Sequence, residues 1–160
     1  MLRRLLALWL PRLATDRLFR RRATTGRAAD PDRPLALTME DHGRLRLTAV
    51  NRAAEAAGLR PGMALADARA LDPGLDTAPA DPAADAAALD ALADWCGRYT
   101  PWAAACGRDG LVIDITGCAH LFGGEAGLLR DLIGRLARIG YTGRAAIADS
   151  AAAARAVATA

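Results

Sequence analysis

Leu47-Thr48-Ala49-Val50-Asn51-Arg52-Ala53-Ala54-Glu55-Ala56-Ala57-Gly58-Leu59-Arg60-Pro61-Gly62-Met63 is the stretch on which the fold turns. Its first residues continue a short strand, Arg44–Ala49. Asn51 is a good N-cap acceptor for a helix over Arg52–Ala57, and Gly58 stands at the C′ position, where a left-handed conformation ends a helix. Leu59-Arg60-Pro61-Gly62-Met63 is then a tight connection. A strand feeding a short capped helix marks a mixed α/β chain.

Upstream, Leu35–Met39 pairs with Arg44–Ala49 around Glu40-Asp41-His42-Gly43, a turn composition that makes a β-hairpin and reads His42 as a turn residue. Ala23–Arg33, rich in Thr, Gly, Asp and Pro, is a loop. Ala14–Arg22 is a helix with a heavily basic polar face, and Leu5–Leu10 a buried strand. Arg3 and Arg4 precede that strand in the manner of a targeting segment. The apolar run is too short for a signal peptide, however, and Pro11-Arg12 ends it without a cleavage site. A cytoplasmic protein is expected.

Downstream, Ala64–Leu71 is a second short helix stopped by Asp72-Pro73-Gly74. Asp81-Pro82 opens a helix that runs to about Cys96. Trp102–Cys106 and Leu111–Ile115 flank Gly107-Arg108-Asp109-Gly110, a second hairpin. Glu125–Arg138 is the clearest amphipathic helix, with Leu128, Leu129, Leu132, Ile133 and Leu136 as its stripe. Arg144–Ala148 is a strand, and Asp149 or Ser150 caps a final Ala-rich helix whose pattern continues to Ala160. That pattern leads us to expect an N-terminal piece of a longer protein. No repeat of 20–50 residues occurs.

Composition narrows the function. The 160 residues are 52% hydrophobic but only 4% aromatic, a quarter are Ala, and all 21 basic residues are Arg. Without Lys there is no Schiff base, P-loop lysine or lysine general base. No apolar run approaches a membrane span, and three Cys without a CxxC pair are no disulfide framework. Residues 1–29 carry eight Arg against Asp16 alone, an asymmetry that suits an anionic partner. Arg20, Arg21 and Arg22 are the candidate phosphate contacts.

Catalytic constellations are sparse. Cys118 and His120, even with Cys106, fall short of a zinc set, and no third group orients them as a nucleophile and base. The glycines match neither a dinucleotide nor a P-loop spacing. Asp109 and Asp114 are the best carboxylate pair, but on one strand they would face opposite sides. No metal and no cofactor is expected.

Three segments, in order, resemble the Y-family (translesion) DNA polymerases. Leu47–Met63 is similar to the fingers run A-N-Y-x-A-R-x-x-G-(V/L)-x-x-G-M. Asp109-Gly110-Leu111-Val112-Ile113-Asp114-Ile115-Thr116-Gly117 is similar to the palm strand D-E-x-x-L-D-(I/V)-T. Ala146-Ile147-Ala148 is similar to the palm segment G-I-(A/S). The resemblance implies a mixed β-sheet palm with flanking helices and a small helical and hairpin fingers subdomain. Residues 1–34 would hold the first palm strand, basic helix and loop; 35–77 the fingers; and 78–160 the rest of the palm.

The departures fall at the positions the family uses for chemistry. Its first metal-binding Asp aligns with Trp9, and the Asp-Glu pair with Asp109-Gly110. The fingers Tyr and Arg, which hold the nucleotide's phosphates, align with Arg52 and Glu55. A phosphate-binding Lys aligns with Ala151 or a near neighbour, in the run Ala151–Ala154. The residues Ala93–Trp102 and Asp114–Glu125, and Leu8-Trp9-Leu10-Pro11, resemble the catalytically defective branch found in bacterial damage-inducible mutagenesis cassettes. That branch implies no catalytic residue and an adaptor role in damage-induced mutagenesis. The implied partners are DNA, a sliding clamp, an error-prone replicative-type polymerase and a RecA-like accessory protein. The alternatives are an active translesion polymerase with unconventional ligands and an unrelated α/β interaction domain. A sheet in which Leu5–Leu10 and Leu111–Ile115 are not neighbours would favour the second over the other readings.

Overall fold

The computed structural model describes residues 1–27 and 29–160; Ala28, inside the stretch read as the Ala23–Arg33 loop, lies outside the described residues. The first half runs β1 (Leu5–Trp9), α1 (Leu13–Thr24), β2 (Leu35–Asp41), β3 (Arg44–Val50), α2 (Arg52–Ala56), α3 (Leu65–Leu71) and β4 (Asp76–Pro79). The second half runs α4 (Pro82–Trp95), β5 (Ala103–Ala105), β6 (Gly110–Asp114), α5 (Glu125–Arg138), β7 (Arg144–Ala148) and α6 (Ala151–Thr159), with single 3₁₀ turns at Cys96–Arg98 and Ala119–Phe122. The chain forms two compact units, Met1–Leu13 with Ala83–Ala160, and Ala14–Pro82.

The first unit is built on a four-stranded antiparallel sheet of order β5-β6-β1-β7. β1, the first strand in sequence, is central, and its neighbour β6 is delivered about a hundred residues later. The two strands are neighbours, so the separated arrangement that would favour the unrelated-domain alternative is not the one found. Side chains alternate across β1 with period two. Leu6 and Leu8 join Leu111, Ile113, Ile115, Leu89 and Leu92 of α4, and Leu128, Leu132 and Leu136 of α5, in one core. Ala7 joins a second cluster with Ala146, Ala154 and Ala158, against which Trp9 packs. The leucine stripe read in Glu125–Arg138 is therefore the face that α5 lays on the sheet.

The second unit holds a three-stranded sheet, β3-β2-β4. Its hairpin turns at His42 (φ 49°) and Gly43 (φ 75°), the two left-handed residues of a turn whose twist suits paired strands. Leu47, Ala54, Leu59, Leu65, Ala68 and Leu75 form its core. Asn51 caps α2 as read: its Oδ1 accepts from the amides of Ala54 and Leu35, and its Nδ2 donates to the carbonyl of Arg33 at 2.9 Å. β4 has no counterpart in the sequence reading. Asp-Thr-Ala-Pro is short and poor in strand formers. It becomes a strand by pairing in parallel with β2, and at the sheet's edge the missing donor of Pro79 is tolerated.

Candidate functional site

The end of β1, the turn before β6 and the start of α6 meet in the first unit. Trp9 closes β1 and stands opposite Gly110 across the ladder. On its other side it pairs with Arg144 of β7, whose guanidinium lies 5.7 Å from the indole centroid, within cation–π range. The indole Nε1–H donates to Oδ2 of Asp109 at 2.9 Å. Oδ1 of Asp109 accepts from Nη2 of Arg155 at 3.1 Å, and Nη1 of Arg155 donates to the Cys106 carbonyl at 3.2 Å. Both oxygens of the carboxylate are thus engaged by donors of the same unit.

Gly110 is buried, and a Cβ there would sit 2.7 Å from Nη1 of Arg155 and 2.9 Å from the Leu8 carbonyl oxygen. Any side chain at 110 requires Arg155 to move, and the backbone oxygen cannot easily give way. Arg155 itself was not among the sequence-derived site residues. The resemblance sets the family's phosphate-binding Lys against the uncharged run Ala151–Ala154, and a positive charge follows it at Arg155. No local pattern marks Arg155: its place follows from the packing of Ala154, which lies against the sheet with no exposed surface.

The alanines explain how Arg155 gets there. Ser150 caps α6, its hydroxyl accepting from the Ala153 amide, which settles the choice between Asp149 and Ser150. Ala7, Ala146, Ala154 and Ala158 then let helix and sheet backbones approach closely, because no long side chain props them apart. A few ångströms more would take the guanidinium out of reach of Asp109.

A second group of charges ties the same unit together. Arg4 donates to both oxygens of Glu125, at 2.7 and 2.9 Å, and also to Asp149. These bonds raise the Arg4 pKa and, from the other side, hold Glu125 below the usual carboxylate range. Asp114 is held low by the hydroxyl and amide of Thr116, with Arg3 assisting. It lies on β6 apart from the Asp109 contacts and pairs with Arg3 at 3.2 Å. Asp131 accepts from the Tyr99 hydroxyl at 2.6 Å and from Arg135, which lowers its pKa. Cys96 is buried, and desolvation pushes its thiol up to about 12. Cys118 donates its S–H to the Ile115 carbonyl. Among the described residues no group of three or more His, Cys, Asp and Glu could hold a metal ion, and no helix is long and apolar enough to cross a membrane.

The remaining sequence-derived residues belong to the second unit. Arg52 and Glu55 are exposed on α2, while Ala54 between them is buried. Arg21 and Arg22 line a cleft of about 490 Å³ with Arg17, Arg27 and the segment 78–81. Arg22 is already paired with Asp76 at 2.8 Å. Arg20 is exposed on α1 and does not line the cleft.

This α/β architecture is found in solved DNA polymerases. The chain is similar to DinB from Sulfolobus solfataricus, with a TM-score of 0.75 and 15% identity over 98% of this chain and 45% of that one. It is similar to Dbh DNA polymerase in an insertion ternary complex, with a TM-score of 0.80 and 14% identity over the same shares. At such identities the likeness is one of fold. Residues 23–159 match the IMS (impB/mucB/samB) family, and the chain belongs to that family. By sequence it is similar to Protein ImuB of Caulobacter vibrioides (strain NA1000 / CB15N), at 61% identity over 101 residues, 63% of this chain and 22% of that protein. The match thus spans about a fifth of the relative's length.

Proposed function

We propose that this chain is the polymerase-like part of an ImuB-type adaptor in damage-induced translesion synthesis, and that it is not itself a polymerase. One observation carries the reading: the Asp109 carboxylate, the one acidic group at the positions that the resemblance aligns with the family's acidic residues (Trp9, Asp109 and Gly110), is already bonded to Trp9 and Arg155. Phosphoryl transfer on two divalent ions about 3.5–4 Å apart needs carboxylates clustered around both. Here a single carboxylate is already paired with the Arg155 guanidinium, and a side chain at Gly110 would collide with Arg155 and the Leu8 carbonyl. The residues present do not fit such a metal pair.

The same proposal takes in DNA as a weak, phosphate-driven ligand through Arg20, Arg21 and Arg22, and a cytoplasmic, nucleoid-associated location. It also takes in a sliding clamp, an error-prone replicative-type polymerase and a RecA-like protein as the bodies connected. The ImuB likeness and the polymerase fold support this role; Arg52 and Glu55 would be vestigial there, Glu55 carrying the wrong charge for nucleotide phosphates. A primer–template assay with magnesium or manganese tests it. The expected result is binding that weakens steeply with salt and no primer extension; extension abolished by Asp109→Ala would overturn it.

A further inference from the structure

We infer that the Arg155 guanidinium is a built-in cation that excludes divalent metal from the Asp109 carboxylate. This inference rests on the non-catalytic reading and adds a mechanism to it. The guanidinium satisfies Asp109 Oδ1 and the Cys106 carbonyl together, two oxygens that could otherwise serve as ligands. It also holds the space a side chain at 110 would need. A divalent ion arriving here meets like charge rather than an acidic cluster, and must displace a guanidinium from a bonded pair. The consequence is an order of events: restoring acidic residues at 9 or 110 recovers no metal site while Arg155 remains.

The test is manganese binding by the full chain, read by calorimetry and by the indole N–H resonance of Trp9, which sits on Asp109. The substitutions are Arg155→Met, which keeps the aliphatic stem without the charge, Trp9→Asp, and the two together. Trp9→Asp alone should bind manganese no better than the unaltered chain. The double variant should bind at least about tenfold more tightly than Trp9→Asp, the scale of one half-exposed ion pair plus relief of repulsion. Equal affinity of Trp9→Asp and the double variant would overturn the inference. If the double variant does not fold, Arg155→Met with Trp9 in place decides. Manganese should broaden its Trp9 indole resonance at a concentration at least about tenfold lower than in the unaltered chain; identical broadening overturns the inference. Primer extension by the unaltered chain would instead overturn the non-catalytic reading beneath it. Manganese binding by Trp9→Asp as tight as by the double variant, with no extension by the unaltered chain, would overturn the role of Arg155 alone.

Discussion

Asn51 shows what one polar side chain can fix. It is 4% exposed, caps α2 and bonds the backbone on both sides of β2's start. Replacing it by Ala removes a cap and leaves buried amide and carbonyl groups unpaired. Asn51→Ala should cost about 2–3 kcal/mol, visible as a lower urea midpoint at unchanged slope. The capping role could be read from the Asn-Arg-Ala-Ala spacing, because an N-cap acts on its own helix. The bonds to Leu35 and Arg33 could not, since they span 16 and 18 residues. The candidate site divides in the same way. Trp9, Asp109 and Gly110 were legible through family resemblance. Arg155 was not, because its role depends on how closely α6 settles on the sheet.

At the scale of the element, α5 gives a contrast between two glycines of one helix. A Cβ at Gly127 would lie 1.9 Å from the Phe122 carbonyl oxygen, whereas at Gly134 it would meet nothing within 4 Å. Helix propensity favours Ala over Gly at both positions by up to about 1 kcal/mol. Gly134→Ala should therefore raise the thermal midpoint by a few degrees, about 1 kcal/mol's worth. Gly127→Ala should lower it, because the backbone at Phe122 must be displaced. Two thermal melts check the pair. The bounds of α5 and β7 agree with the residues read from periodicity and capping, since both elements carry strong local signals. β4 and the 3₁₀ turn at Ala119–Phe122 carry none, and were missed: the first exists only by pairing with β2. The quarter share of alanine also acquires a use at this scale. In α6 it is the packing surface that sets the distance from helix to sheet.

At the scale of the whole molecule, the first unit is discontinuous: Met1–Leu13 is completed by Ala83–Ala160. Arg4 binds Glu125 and Asp149 across that gap in sequence, and Tyr99 reaches Asp131. Glu125, Asp114 and Asp131 all have pKa values below their ordinary ones in the folded state. The unfolded chain therefore binds protons first as acid is added. The stability these groups supply is complete above about pH 5, where unfolded carboxylates are ionised, and is lost as the pH falls through their lowered folded values. Urea unfolding between pH 7 and 3 should show a falling midpoint below about pH 5. Glu125→Gln should reduce that acid sensitivity while lowering the midpoint at neutral pH. By itself the sequence determined the α/β class, most element bounds, the Asn51 cap and the absence of lysine chemistry. These are matters of local spacing and of residue type. The tertiary structure alone decided that β1 lies between β6 and β7, that β4 is a strand, and that Arg155 occupies Asp109. Each depends on contacts between residues tens of positions apart, whose distance is set by packing and is not encoded in any local pattern.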